Sequence, residues 1–127
     1  MNSNSPNNIK QDDYLPCSFY NGKTHSEDGI YNFAENGKFY FSFMEDGKVI
    51  LRSEGYGNEA GRENGILSIL KNKDNESLYK VLRLEDGSWV IVLEALNHQE
   101  IARSCVFPTE AEARELLPGA RAKAREA

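Results

Sequence analysis

In "KFYFSFME", residues 38–45, Phe39, Phe41 and Phe43 alternate with Tyr40, Ser42 and Met44. A two-residue period of this kind is that of a strand with one strongly apolar face. Turn dipeptides stand at Asn36-Gly37, Asp46-Gly47 and Asp86-Gly87. Each fits a two-residue hairpin, because both central residues of a type I′ turn need positive φ, which Asn, Asp and Gly tolerate best. The pattern predicts a meander over 30–35, 38–45 and 48–54. With Asp46-Gly47 as the turn, Glu45 faces Lys48, Phe43 faces Ile50 and Phe41 faces Arg52. A helix is expected from 58 to 71, with Asn58 as its N-cap, Glu59 and Glu63 near its positive end, and Ile66, Ile69 and Leu70 toward the sheet. Gly61 and Gly65 each cost that helix about 1 kcal/mol, while leaving room for close helix–sheet approach.

The same programme then returns. Residues 78–84 read as a strand, Asp86-Gly87 as a hairpin turn, and "SWVIVLEA" as a central strand with Trp89, Ile91 and Leu93 in the places of Phe39, Phe41 and Phe43. After one added residue, Asn97-His98 takes the turn place of Asp46-Gly47. "ILRSEGY" (50–56) comes back as "IARSCVF" (101–107), and Thr109-Glu110-Ala111-Glu112 is a capping box opening a second helix. Two βββα units in tandem follow, an α+β fold of antiparallel strands with helices packed on the sheets. Agreement between the copies makes the architecture more credible than either half alone.

"NGKFYFSFMEDGKVILRSEGYGNEAGRENGI" (36–66) and, more weakly, "DGSWVIVLEALNHQEIARSCVFPTEAEARELL" (86–117) resemble the tandem YegP-like repeats, a bacterial family of small domains of unknown function. The N-G-x-F-x-F strand, the I-L-x-S-x-x-Y corner and the R-E-x-G-I helix carry the resemblance. It implies two strand-rich repeats packed about a pseudo-twofold axis, as paired single-repeat relatives would pack, and no established reaction. Pro118-Gly119 departs from the pattern, where a continuing helix is expected, and leaves the extent of the second helix open. The chain thus divides into a disordered tail (1–11), an N-terminal extension (12–29) whose Tyr14, Phe19 and Tyr20 suit packing on the sheet or an interaction arm, repeat 1 (30–74) and repeat 2 (75–127). The two repeats are expected to share one core, as a monomer with an internal pseudo-dimer.

Composition narrows the function. The 127 residues are 39% hydrophobic and 28% charged, as in an ordinary globular domain, with no apolar run near the roughly 20 residues of a membrane helix. The N-terminus is polar and Asn-rich without an apolar h-region, so a cytoplasmic location is expected. A net charge of -5 disfavours nucleic acid, whose phosphates call for a basic surface. The basic residues Arg114, Arg121, Lys123 and Arg125 are interspersed with Glu110, Glu112, Glu115 and Glu126, which reads as an ion-paired helical face. Cys17 and Cys105 lack CxxC spacing and are expected to be two unrelated reduced thiols.

No catalytic constellation is legible. His98-x-Glu100 lacks the downstream P-C-x-x-C of zinc deaminases, and His98 reads as a turn residue. Two histidines do not supply the three ligands of a catalytic zinc. The carboxylate pairs Asp12-Asp13 and Glu45-Asp46 read as solvated turn acids. Expected metal ligands, cofactors and catalytic residues are therefore none. The candidate binding residues are Arg52, Ser53, Tyr56, Arg103 and Ser104 of the repeated corner. Under the corner reading each arginine stem covers an aromatic face and each serine bonds backbone groups. The function expected is a non-enzymatic interaction or scaffold module with a protein partner. The alternative is a protein that binds a small ligand or anion through its helix N-termini and the Arg52/Arg103 pair.

Overall fold

A computed structural model describes residues 14–21 and 28–126. Asn36 and Asp46 hold φ at 52° and 53°, and Gly37 and Gly47 follow at 77° and 74°, so the first two hairpins close through the primed turns their dipeptides favour. They connect β1 (Gly29–Glu35), β2 (Lys38–Glu45) and β3 (Lys48–Ser53). A second meander is formed by β4 (Tyr79–Arg83), β5 (Trp89–Glu94) and β6 (Glu100–Arg103). The six strands form one antiparallel sheet in the order β1-β2-β3-β6-β5-β4. The seam between the meanders is short, with Arg52 opposite Arg103 and Ser53 opposite Ala102.

The hairpins of the second meander differ from expectation. At Asp86-Gly87 only Gly87 takes positive φ, and Leu84 N–H bonds Ser88 O across a three-residue loop while Gly87 N–H bonds Leu84 O. Ala95 and Gln99 are joined the same way around a loop in which His98 holds φ at 69°. Both are three-residue hairpins whose last residue is left-handed. The single residue added before Asn97 is what lengthens the second one.

The register of β2 and β3 also corrects the expected pairing. Glu45 does face Lys48, but Phe43 faces Leu51 and Ser42 faces Arg52. Ile50 is an extra residue, a β-bulge, and one extra residue moves everything beyond it to the other face. In the second meander the register skips Ile101 in the same way. The isoleucine that recurs in I-x-R-S is thus the bulged residue of both meanders. Ile50 and Leu51, and likewise Ile101 and Ala102, enter one core side by side, and the arginine that follows is turned to the opposite face.

Helix α2 (Glu59–Asn72) starts where Asn58 accepts from Gly61 N–H at 2.7 Å. Gly65 is buried against the sheet, and a Cβ there would lie 2.2 Å from Tyr56 Oη. The chain's last helical stretch is split. Thr109 caps α3 (Glu110–Arg114) by accepting from Glu112 N–H. The chain then breaks, and α4 (Pro118–Glu126) begins on Pro118, whose missing N–H is tolerated only in a first turn. The core combines residues of both meanders, among them Phe41, Phe43, Leu51, Ile91 and Leu93, with Ile69 of α2. No described helix is long and apolar enough to cross a membrane.

Candidate functional site: the arginine corners and the segment that covers them

At the end of each third strand a serine, Ser53 as the last residue of β3 and Ser104 just past β6, completes a ladder its own backbone leaves open. Ser53 Oγ accepts from Phe41 N–H at 2.9 Å and donates to Glu54 O. Ser104 Oγ accepts from Ile91 N–H at 2.8 Å and donates to Cys105 O. Three residues on, the chain re-pairs with the start of the central strand, Tyr56 with Phe39 and Phe107 with Trp89, through two backbone hydrogen bonds each. Tyr56 lies flat over Phe41 with ring centroids 6.4 Å apart, beneath the gap at Gly65.

Arg52 and Arg103 leave this corner on the face that carries no long helix. Like charges directly opposite destabilise a sheet, and each guanidinium here meets a carboxylate, Arg52 with Glu35 at 3.0 Å and Arg103 with Glu100. Arg52 also lies over Tyr40 at 4.6 Å and over Phe33 at 5.2 Å. The rings continue outward as a ladder, Tyr40 to Phe33 to Tyr31, with stacked centroids 5.2 and 6.1 Å apart. Tyr31 is exposed at the sheet edge. The sequence therefore places an aromatic beside Arg52, but it is Tyr40 and Phe33, not Phe41.

The inner part of this face is covered by residues 14–21. Val106 N–H donates to Leu15 O at 2.9 Å, Pro16 forms a parallel bridge with Val106, and the chain turns into α1 (Cys17–Asn21). Tyr14 is buried on Leu84, Val90 and Val92, and its ring stacks on Arg103 at 4.8 Å. Phe19 covers Arg52 at 5.2 Å, and Tyr20 Oη donates to Arg103 O. Burial pushes the Tyr20 phenol well above its ordinary value, against the pull of the two arginines. Cys17 and Cys105 are joined in a disulfide across 88 residues, with Cα atoms 4.8 Å apart. The reading of two unrelated thiols is corrected here. Spacing along the chain is no guide when an extension folds back across a sheet to its partner. The position of Cys105, immediately after the repeated Arg-Ser, and of Cys17, among aromatics, is the only trace of this in the sequence.

The other candidates are placed differently. Side chains already occupy N–H groups at the starts of α2 and α3, Asn58 and Thr109 respectively. His98 is a turn residue 3.5 Å from Glu94. Two clefts flank the seam. The larger, of about 510 Å³, lies between Ile50, Phe107 and α4, where Arg121 and Arg125 both bond Glu45 at 2.9 Å. The smaller, of about 140 Å³, is lined by Tyr56, Gly65, Ser68 and Glu100. Burial raises the Glu100 carboxyl above its ordinary value although Arg103 opposes the shift. Residues 1–13 and 22–27, with the expected tail, His25 and the Asp12-Asp13 pair, lie outside the described residues.

One antiparallel six-stranded sheet with helices on its core face makes this a mixed α/β protein of a recognisable kind. A model of the domain of unknown function DUF1508 matches residues 34–79. A UPF0339 protein of Mannheimia succiniciproducens is 38% identical over 81 residues, covering 63% of this chain and 72% of the relative. The UPF0339 protein YegP of Yersinia pestis is 39% identical over 72 residues, 56% of this chain and 64% of the relative. The solution NMR structure of a UPF0339 protein from Shewanella oneidensis matches with a TM-score of 0.62 at 28% identity, over 69% of this chain and 76% of that one. YegP from E. coli shares the fold, with a TM-score of 0.63 at 24% identity over 77% and 88% of the two chains. The chain belongs to this YegP-like bacterial family, whose function is unknown.

Proposed function

We propose that this protein is a non-enzymatic interaction module, built as a tandem βββα repeat about a pseudo-twofold axis and binding a protein partner through the outer part of the sheet face that carries no long helix. The observation that carries the reading is the Tyr31–Phe33–Tyr40 ladder ending on Arg52. Stacked rings at a sheet edge offer rigid contact area that loses little side-chain entropy on binding, and Tyr and Arg are the residues most often found at the energetic centre of protein interfaces. The repeated serine corners and bulged isoleucines support the tandem arrangement, since two unrelated meanders have no reason to share them. An anion site built from the helix N-termini and both arginines is less well supported, because Asn58, Thr109, Glu35 and Glu100 already engage those groups.

The test is site-specific photo-crosslinking in the native cell, with a photoreactive phenylalanine analogue replacing Tyr31 or, on the outer side of α2, Lys71. A discrete species captured from position 31 only, and lost when Phe33→Ala is added, supports the assignment. Identical products from both positions, or none from position 31, would overturn it.

A further inference from the structure

We infer that the inner groove of the face without a long helix, over β4, β5 and β6, is a docking site for an aromatic-bearing peptide segment, and that the chain shuts it with its own residues 14–21, latched by the Cys17–Cys105 disulfide. The two meanders differ at this point in an informative way. In the first, the rings beside Arg52 come from its own strands, Tyr40 and Phe33. At the corresponding positions the second meander has the cross-strand pair Val90 and Leu82, and the ring on Arg103 is supplied by Tyr14 of the N-terminal segment. Replacing a ring with a valine leaves a trough floored by Leu84, Val90 and Val92, which Tyr14 fills. Residues 14–21 bind there as a peptide ligand would, with a backbone bond to a strand-like segment, an aromatic anchor and a tyrosine hydroxyl on a carbonyl. The occupant that fits the open groove is accordingly a partner segment carrying an aromatic residue with the spacing of this chain's own segment.

The latch makes occupancy redox-dependent. The backbone tethers the segment to β1 in either redox state, and the disulfide adds a second link, Cys17 to Cys105, that raises its effective concentration at the groove. Its release is a two-electron reduction by a dithiol. One thiolate of the dithiol attacks the sulfur of Cys17, the more exposed of the two residues. The S–S bond breaks, and Cys105 leaves as a thiolate that takes a proton. The second thiol of the reductant then displaces Cys17 from the mixed disulfide, leaving two protein thiols and an oxidised, cyclic dithiol. In a reducing cytoplasm the open form is favoured, and in an oxidising compartment the closed one. The inference deepens the interaction reading, and its test follows the segment and groove without reference to Tyr31.

Amide hydrogen exchange is measured on the full chain, oxidised and in dithiothreitol, and on Cys17→Ser, whose change lies on the segment and not in the sheet. The probe ligand is a synthetic peptide of residues 12–21 with serine in place of the cysteine. On reduction, exchange at the Val106 amide should rise on the order of tenfold or more, as for local opening. The Tyr56 amide, bonded to Phe39 O in the other meander, should not change. Supplied at roughly millimolar concentration, to match the effective concentration of the still-tethered segment, the peptide should be taken up by the reduced chain and by Cys17→Ser, and not by the oxidised chain. Unchanged Val106 exchange overturns the latch. Opening at Val106 without peptide uptake overturns the docking site, and an equal rise at Tyr56 overturns both by showing general loosening.

Discussion

Removing the hydroxyl of Ser104 should be among the costliest small changes available to this chain. Ser104 is fully buried, at 0% exposure. Its Oγ is the acceptor for Ile91 N–H at 2.8 Å and the donor to Cys105 O at 2.8 Å. In Ser104→Ala the Ile91 amide loses that acceptor inside the sheet, where an unsatisfied donor costs about 1–3 kcal/mol, and the bond to Cys105 O adds about 1 kcal/mol. The sum is about 2–4 kcal/mol. At about 4 °C per kcal/mol for a chain of this size, the melting temperature should fall by about 8–16 °C. Ser53→Ala breaks the matching pair, with Phe41 N–H at 2.9 Å and Glu54 O. Glu54 is only half-buried, and water can replace part of what is lost there, so about 1–3 kcal/mol is expected. Urea unfolding gives both values, provided the slope with denaturant matches the parent and the shift lies in the midpoint. Ser77→Ala is the control. Its hydroxyl bonds the Asn75 side chain in solvent, and the change should stay within about 0.5 kcal/mol. If Ser53→Ala and Ser104→Ala also stay within about 0.5 kcal/mol of the parent, the serines are not closing the ladder and the account of the repeated Arg-Ser is wrong.

Gly65→Ala improves helix propensity by about 1 kcal/mol, yet it drives a methyl to 2.2 Å from Tyr56 Oη and 3.1 Å from the buried Phe41 ring. It should lower stability by about 1–3 kcal/mol net in the same urea assay, whereas at Gly61 the nearest atom is 3.3 Å away and alanine should be neutral or stabilising. Glu100 has its folded value raised by burial above the 4.5 of the free carboxyl. As pH rises from 4.5 through that raised value the native chain still holds a proton that the unfolded chain has released, so stability declines across the window and returns as pH falls through it. Midpoints for Glu100→Gln should decline less over that range than those of the parent, and parallel curves would remove Glu100 as the source.

Much of this molecule is local, and local rules read it. Alternation in 38–45, the primed-turn dipeptides at 36–37 and 46–47, Asn58 as a cap and the Thr109 capping box each depend on interactions within a few residues. The recurrence of I-x-R-S also marks Arg52, Ser53, Arg103 and Ser104 as a unit, and in the structure Arg52 faces Arg103 across the seam, Ser53 faces Ala102 and Ser104 follows directly after β6. That each serine bonds backbone groups there was legible, and which rings the arginines cover was not. A bulge adds one residue without leaving a mark in the hydrophobic pattern, because Ile50 and Leu51 are both apolar. Either register buries a hydrophobe, and only packing against α2 and the neighbouring strand selects the one that turns Arg52 away from Phe41. Of the N-terminal segment, Tyr14, Phe19 and Tyr20 announced packing on the sheet but not where on it, for a related reason. Its eight described residues carry too few local signals to fix a conformation, and its place comes from Leu84, Val90 and Val92, some 70 residues away in the chain. Those residues form a trough only once β4, β5 and β6 stand side by side. Sequence determines which elements form, since their energies are short-ranged. Which faces are covered, and which cysteines meet, is decided by surfaces that exist only after the strands have paired.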